Sequence, residues 1–315
     1  MQNLLLSAGI ILPLFTIMTL GHLCRNILKL SSGWVQTTNK MLFRIMLPML
    51  LFRSMYSSDF TYAFTPDMLK MCLLSSGGLV LSFLVLCIIV PRLEKKPERR
   101  GVIIQGAYRA NTAIFGIPIA LALYEESAIT PVAMALAFAV PTINILSVIV
   151  LEMHRDGKPQ WRKILKNIAT NPPLISIVLG IAFNLLNINL PGFVKSAAWA
   201  LADCTTPLSF FILGASFSFS AAASNRKVLL WCVLTKLVII PVVFLSIAVG
   251  MGFRGAMLVA VLITFAPPTA VSSFPMAQAV GADAELASEI VVFTSVFSLI
   301  TIFLFLSGLG FLGLL

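Results

Sequence analysis

Charge is scarce in this sequence. Only 11% of its 315 residues are Asp, Glu, Lys or Arg, against roughly a quarter in soluble domains, so the chain cannot clothe a surface that faces water. It has no polar stretch long enough to fold as a separate soluble domain. No Gly-x-x-x-x-Gly-Lys loop is present, which disfavours a nucleotide-driven pump. The two histidines, His22 and His154, stand far apart without acidic or thiol neighbours at ligand spacing, so no metal site is expected. The five cysteines form no Cys-x-x-Cys pair and lie within or beside apolar runs, as small buried hydrophobes do. Nucleophile-base pairs suited to covalent catalysis are missing from those runs, and the chain is expected to be neither an enzyme nor a cofactor carrier.

What is there is lipid-soluble: 59% of residues are hydrophobic and the mean hydropathy is +0.99. A spanning helix takes about 20 apolar residues. Runs near 4–24, 34–55, 67–91, 101–124, 129–151, 172–190, 193–219, 227–250, 254–281 and 286–308 predict an all-α integral membrane fold of about ten spans. The N-terminus lacks a basic leader and a cleavage site, and reads as the first span. The net charge of +10 follows from topology rather than nucleic-acid binding. Arg25 and Lys29, then Arg92 to Arg100, then Arg155 to Lys166, then Arg226 and Lys227 occupy alternate loops, while Asp59, Asp67, Glu125, Glu126, Asp283 and Glu285 are assigned to the loops between. The basic loops are therefore expected in the cytoplasm and both termini outside a cell membrane. Trp34, Trp161, Trp199 and Trp231 fall near span ends, as interfacial belts do.

The midpoint of the pattern separates five spans from five, giving repeats over 1–151 and 172–315 joined by a cytoplasmic linker over 152–171. An odd number of spans per half makes the halves enter the bilayer from opposite sides, as in inverted-repeat carriers. Pro13 and Pro172 share an offset of 159 residues with Pro48 and Pro207. Pro118 and Pro275 each open the pattern Pro-x-Ala-x-Ala.

The fourth span carries Arg109-Ala-Asn-Thr-Ala-Ile-Phe-Gly-Ile-Pro118, and the ninth Thr264-Phe-Ala-Pro-Pro-Thr-Ala-Val-Ser-Ser273. Proline removes a helix hydrogen bond and clashes with the preceding turn, so each span is expected to break. Unwound backbone at membrane depth must be buried in protein or face water. The polar residues beside the breaks then become the candidate substrate site: Asn111, Thr112, Gly116, Pro118, Pro267, Pro268, Thr269, Ser272 and Ser273. Proline at the first turn of each following half-helix would leave free N–H groups and a positive dipole end, which favour an anion.

Pro48-Met-Leu-Leu-Phe, Arg109-x-Asn-Thr-x-x-x-Gly-x-Pro118, Pro207-Leu-Ser-Phe-Phe-Ile-Leu-Gly214, Lys236-Leu-x-x-x-Pro241 and Ala266-Pro-Pro-Thr-Ala-Val-Ser-Ser-Phe with Gly281-Ala-Asp together resemble the auxin efflux carrier family along the whole chain. The short fifth loop resembles the bacterial branch attributed to malate or malonate. The resemblance implies two inverted five-helix repeats, fourth and ninth helices crossing at their breaks, substrate beside the crossing, and an elevator-like motion. Relatives often carry Asn soon after the proline pair of the ninth span, where this chain has Ser272 and Ser273.

Asp203 reads as the one carboxylate well inside a span, either a gating or proton-binding group paired to a neighbouring helix or a locally hydrogen-bonded acid near the outer end. Arg109 and Lys236 either attract the anion or snorkel to the interface, and Lys40 and Arg44 read as anchors at the cytoplasmic start of the second span. The function expected is secondary transport of a small organic anion. The alternatives are a sodium-coupled symporter of the bile-acid type and a membrane receptor. Proton coupling, sodium coupling and uniport all stay open, and so does assembly as a homodimer.

Overall fold

In a computed structural model of the protein, residues 2–57, 65–124, 130–155, 161–217 and 223–315 are described. Asp59, Glu125, Glu126 and Lys158 lie outside them. Among the described residues every element is helical: α1 Gln2–Ile27, α2 Ser32–Met41, α3 Leu47–Tyr56, α4 Pro66–Leu93, α5 Pro97–Tyr108, α6 Thr112–Leu123, α7 Thr130–Met153, α8 Trp161–Ala169, α9 Pro172–Leu185, α10 Gly192–Ser216, α11 Arg226–Leu234, α12 Ile240–Gly250, α13 Gly255–Phe265, α14 Ser273–Val280 and α15 Ala284–Phe311. Single π turns, Leu42–Met46 and Thr235–Ile239, join α2 to α3 and α11 to α12.

Among the described residues, five stretches are long and apolar enough to cross a bilayer unaided: α4, α7, α10, α11 through α12, and α15. The first expected span is the unbroken α1 of 26 residues, and the others are shorter or interrupted. The π turn divides the second, α9 is only 14 residues long, and the fourth and ninth are each two half-helices. The region expected as a plain linker holds α8, whose Arg162 and Lys166 alternate with apolar residues as in a helix lying on a membrane surface.

Helices α1, α2, α3, α9 and α10 pack on one another, and α4 to α7 pack with α11 to α15. The first group is closed by glycines. A Cβ on Gly21 of α1 would strike the Phe211 carbonyl of α10, and one on Gly214 would strike that of Met18, so the two backbones touch. In the same way a Cβ on Gly180 of α9 would come within 2.8 Å of the Phe52 carbonyl of α3. Small residues allow this closeness where lipid supplies no hydrophobic drive between helices.

Loops gather on two faces. Arg99 at the start of α5 binds Glu94 at 3.3 Å, Asp283 at 3.4 Å and Asn225 at 2.7 Å, and the Asp283 amide donates to Glu98. Asp283 therefore lies with the basic loops, not opposite them as the charge pattern suggested. Its carboxylate also caps α15 by accepting from the Leu286 amide at 3.0 Å, and the chain turns into it through Gly281 at φ 77°, where a side chain would be strained. A second group of contacts joins the other loops: Tyr56 with Ile188 at 3.1 Å, and Gly255 with Leu314 at 2.9 Å.

Candidate functional site

The two interrupted spans meet at their interruptions. The Asn111 amide donates to the Pro268 carbonyl at 2.8 Å, and Ala110 and Thr269 form an isolated antiparallel bridge. Further bonds tie the last turn of α5 to the other break. Thr269 Oγ1 donates to the Gly106 carbonyl at 2.7 Å, and Gln105 Nε2 to the Ser273 carbonyl at 3.1 Å. The Thr269 amide donates to Thr294 Oγ1 of α15 at 3.2 Å. All residues from Thr264 to Val271 are buried, as are Asn111 and Thr112, so the unwound backbone is sealed inside protein.

The breaks arise differently. In the ninth span Pro267 and Pro268 cannot donate, and α13 ends just before them. Pro275 then sits in the first turn of α14, where its missing N–H costs nothing. In the fourth span the break falls at Arg109, Ala110 and Asn111, and Pro118 is the seventh residue of α6. The expectation that Pro118 opens the following half-helix is thus corrected. Here the helix is parted by cross-span hydrogen bonds, and the Pro118 side chain lies outside the described part of the structure. The free amides are also uneven. Ser273 and Phe274 donate to Ala270 and Val271, whereas the Thr112 and Ile114 amides have no acceptor among the described residues.

Two cations occupy the crossing. Lys236, wholly buried in the π turn of the eighth span, donates to the carbonyls of Phe265 at 2.8 Å and Tyr108 at 3.4 Å. These are the last residues of α13 and α5, so one ammonium caps the negative ends of both first half-helices. Arg109, 2% exposed, donates to Asn144 Oδ1 at 2.9 Å, Ser272 Oγ at 2.7 Å and Met276 Sδ at 2.7 Å. Its Nε has no partner. Neither cation lies within 4.0 Å of a carboxylate among the described residues. Snorkelling is excluded for both, because burial this complete leaves no path to the interface.

Of the expected site residues, the crossing gathers Asn111, Thr112, Pro267, Pro268, Thr269, Ser272, Ser273, Arg109 and Lys236. Gly116 stands apart, where a Cβ would meet Ile263 at 2.9 Å, so its smallness serves the packing of α6 on α13. Asp203 is not brought in: it ion-pairs with Arg53 of α3, and its side chain is 69% exposed. The fully buried carboxylate is instead Glu289 of α15, which accepts from Asn225 Nδ2 at 2.8 Å and leaves Oε1 unpartnered. Sequence reasoning passed over Glu289 because it lies near a span end, and Asn144 because a lone amide in an apolar run carries no motif.

Residues 8–306 match the family described as membrane transport protein. The chain belongs to that family. This transporter is 24% identical over 306 residues to a candidate malonate transporter of Rhizobium meliloti, covering 93% of each chain. An uncharacterized transporter of Methanocaldococcus jannaschii is 24% identical over 216 residues, which are 66% of this chain and 68% of the relative. Auxin efflux carrier component 2 of Oryza sativa subsp. japonica is 22% identical over 159 residues, half of this chain and 24% of the rice protein. The resemblance read from the motifs is borne out: the protein is a multi-pass membrane transporter and not an enzyme.

Proposed function

We propose that this transporter carries a small carboxylate across the bilayer by alternating access, with the substrate bound at the crossing. The observation that carries the reading is the setting of Arg109. Its guanidinium lies against Ser272 and Met276 at the N-terminal end of α14, where the helix dipole is already positive, and no carboxylate among the described residues neutralises it. A buried cation so placed calls for an anion. The free amides of Thr112 and Ile114, with the Asn111 side chain beside them, supply donors of the kind a carboxylate takes. The name of the Rhizobium relative agrees with this chemistry.

An inverted ten-span repeat is supported by the glycine contacts. Gly21 against Phe211 and Gly180 against Phe52 are related by the same 159-residue offset as the prolines. Under that symmetry α1, α2, α3, α9 and α10 form a scaffold, and the remaining spans form the body that moves. Lys236 fills the place where carbonyl oxygens would otherwise hold a sodium ion, which favours proton coupling or uniport over sodium symport.

The test is malonate exchange in proteoliposomes without sodium. Saturable exchange is expected in the wild type, with a loss of about tenfold or more in Asn111→Ala and Arg109→Gln. If mono- and dicarboxylates neither bind nor exchange under any proton or sodium gradient, the reading fails.

A further inference from the structure

Away from the crossing, a polar stripe runs down the second span. Gln36, Asn39, Lys40 and Arg44 recur three and four residues apart, hence on one face. The continuous path from Ser32 to Tyr56 is 25 residues long, and Arg44 lies twelve residues in, about 18 Å along at 1.5 Å per residue. Its side chain is exposed, as are those of Gln36 and Lys40. Within an apolar span such an arginine faces water or an anion rather than lipid.

The structure shows what it faces. Gln36, Asn39, Lys40 and Arg44 line a cavity of about 300 Å³ whose opposite wall is Pro275 and Gln278 of α14. Asn39 donates to Gln278 across one end, joining the stripe to the half-helix whose N-terminus carries Ser272 and Arg109. A second cavity, of about 540 Å³, shares Arg44 and opens toward Arg155, Asn167 and Thr170 beside α8. The two cavities therefore adjoin at Arg44, one reaching toward a basic loop and the other lying against Pro275 in the first turn of α14.

Neither cation is neutralised by the protein. Lys40 and Arg44 make no ion pair or hydrogen bond among the described residues. The acid lining the adjoining cavity, Glu152, is already engaged by Arg155 at 3.6 Å and by Asn167 at 2.7 Å. Arg44 also lies within the π turn Leu42–Met46, a distortion that recurs where helices serve function rather than packing.

We propose that this cavity is an anion vestibule selecting dicarboxylates, with Lys40 and Arg44, one turn apart, each taking one carboxylate group. The assignment rests on the carboxylate-carrier reading and names the two residues that would read the two carboxylate groups. A monocarboxylate would leave one of the two cations unmatched.

The experiment compares succinate and malonate with acetate and propionate by calorimetric titration of the full chain in lipid nanodiscs at 150 mM salt, which screens long-range steering. The wild type is expected to bind the dicarboxylates at least tenfold more tightly. Arg44→Gln and Lys40→Gln should each weaken dicarboxylate binding about tenfold and change acetate binding less than threefold, while Arg44→Lys keeps the preference. The unliganded melting temperature should not move, because both side chains are exposed and unpaired. Unchanged dicarboxylate affinity in both Gln variants, or a parallel fall for all four acids, overturns the vestibule. If dicarboxylate binding vanishes in Asn111→Ala but survives in the Gln variants, the carrier reading stands and the vestibule falls. A wild type that binds none of the four acids removes both.

Discussion

Arg109 and Lys236 are buried cations in one crossing, yet they meet opposite helix ends. Lys236 is matched by the carbonyls of Tyr108 and Phe265, whereas Arg109 sits at the positive start of α14. The first is structural compensation and the second an unmet charge. Lys236→Met would leave two carbonyl ends uncapped in a dry interior, at about 1–3 kcal/mol for each unsatisfied group. The expected outcome is a lower melting temperature in the variant, partly restored by sodium or potassium, with no such salt-specific effect in the wild type. Thermal melts across chloride salts at fixed ionic strength check this. Equal stability in all salts would show that the two carbonyls do not form a cation site.

At the scale of elements, glycine decides how closely α1 approaches α10 and α9 approaches α3. Gly180 has the Phe52 carbonyl and the Met55 Cβ each 2.8 Å from where its own Cβ would stand, and backbone cannot move aside as a side chain can. Gly180→Val should therefore push α9 off α3 and cost at least about 2 kcal/mol, the range of overpacked cores. Gly21→Val, whose added carbon would strike the Phe211 carbonyl, should do the same between α1 and α10. Gly77→Val is the control, since nothing lies within 4 Å of its added carbon. Urea or thermal unfolding of the three variants in one detergent tests the ranking, and equal stability of all three would remove the close-contact argument.

For the whole molecule, the contacts divide the loops into two sets. Arg99, Asn225 and Asp283 share one face, and Tyr56, Ile188, Gly255 and Leu314 belong to the other set. The first set holds most of the basic residues, and the positive-inside bias predicts that it faces the cytoplasm. In a cysteine-free background, Asn225→Cys and Lys95→Cys should react with an impermeant maleimide only in inside-out vesicles. Asn187→Cys and Leu312→Cys should react in intact cells. Labelling of Lys95→Cys from outside would invert the topology proposed here.

The sequence by itself determined the membrane class, the helical architecture and the place where the ninth span fails, because few charges, long apolar runs and adjacent prolines act locally. The double proline at 267 and 268 is such a case: it stops α13 whatever surrounds it. Tertiary structure decided the rest. The break at Arg109 contains neither glycine nor proline and exists because Pro268 accepts the Asn111 amide from another span. Lys236 became a helix cap, Asp203 an exposed partner of Arg53, and Glu289 the buried acid only once distant segments met. Charge counting misplaced Asp283 for the same reason. A residue's type is written in the chain, but its dielectric surroundings and its partners are set by which helices pack beside it.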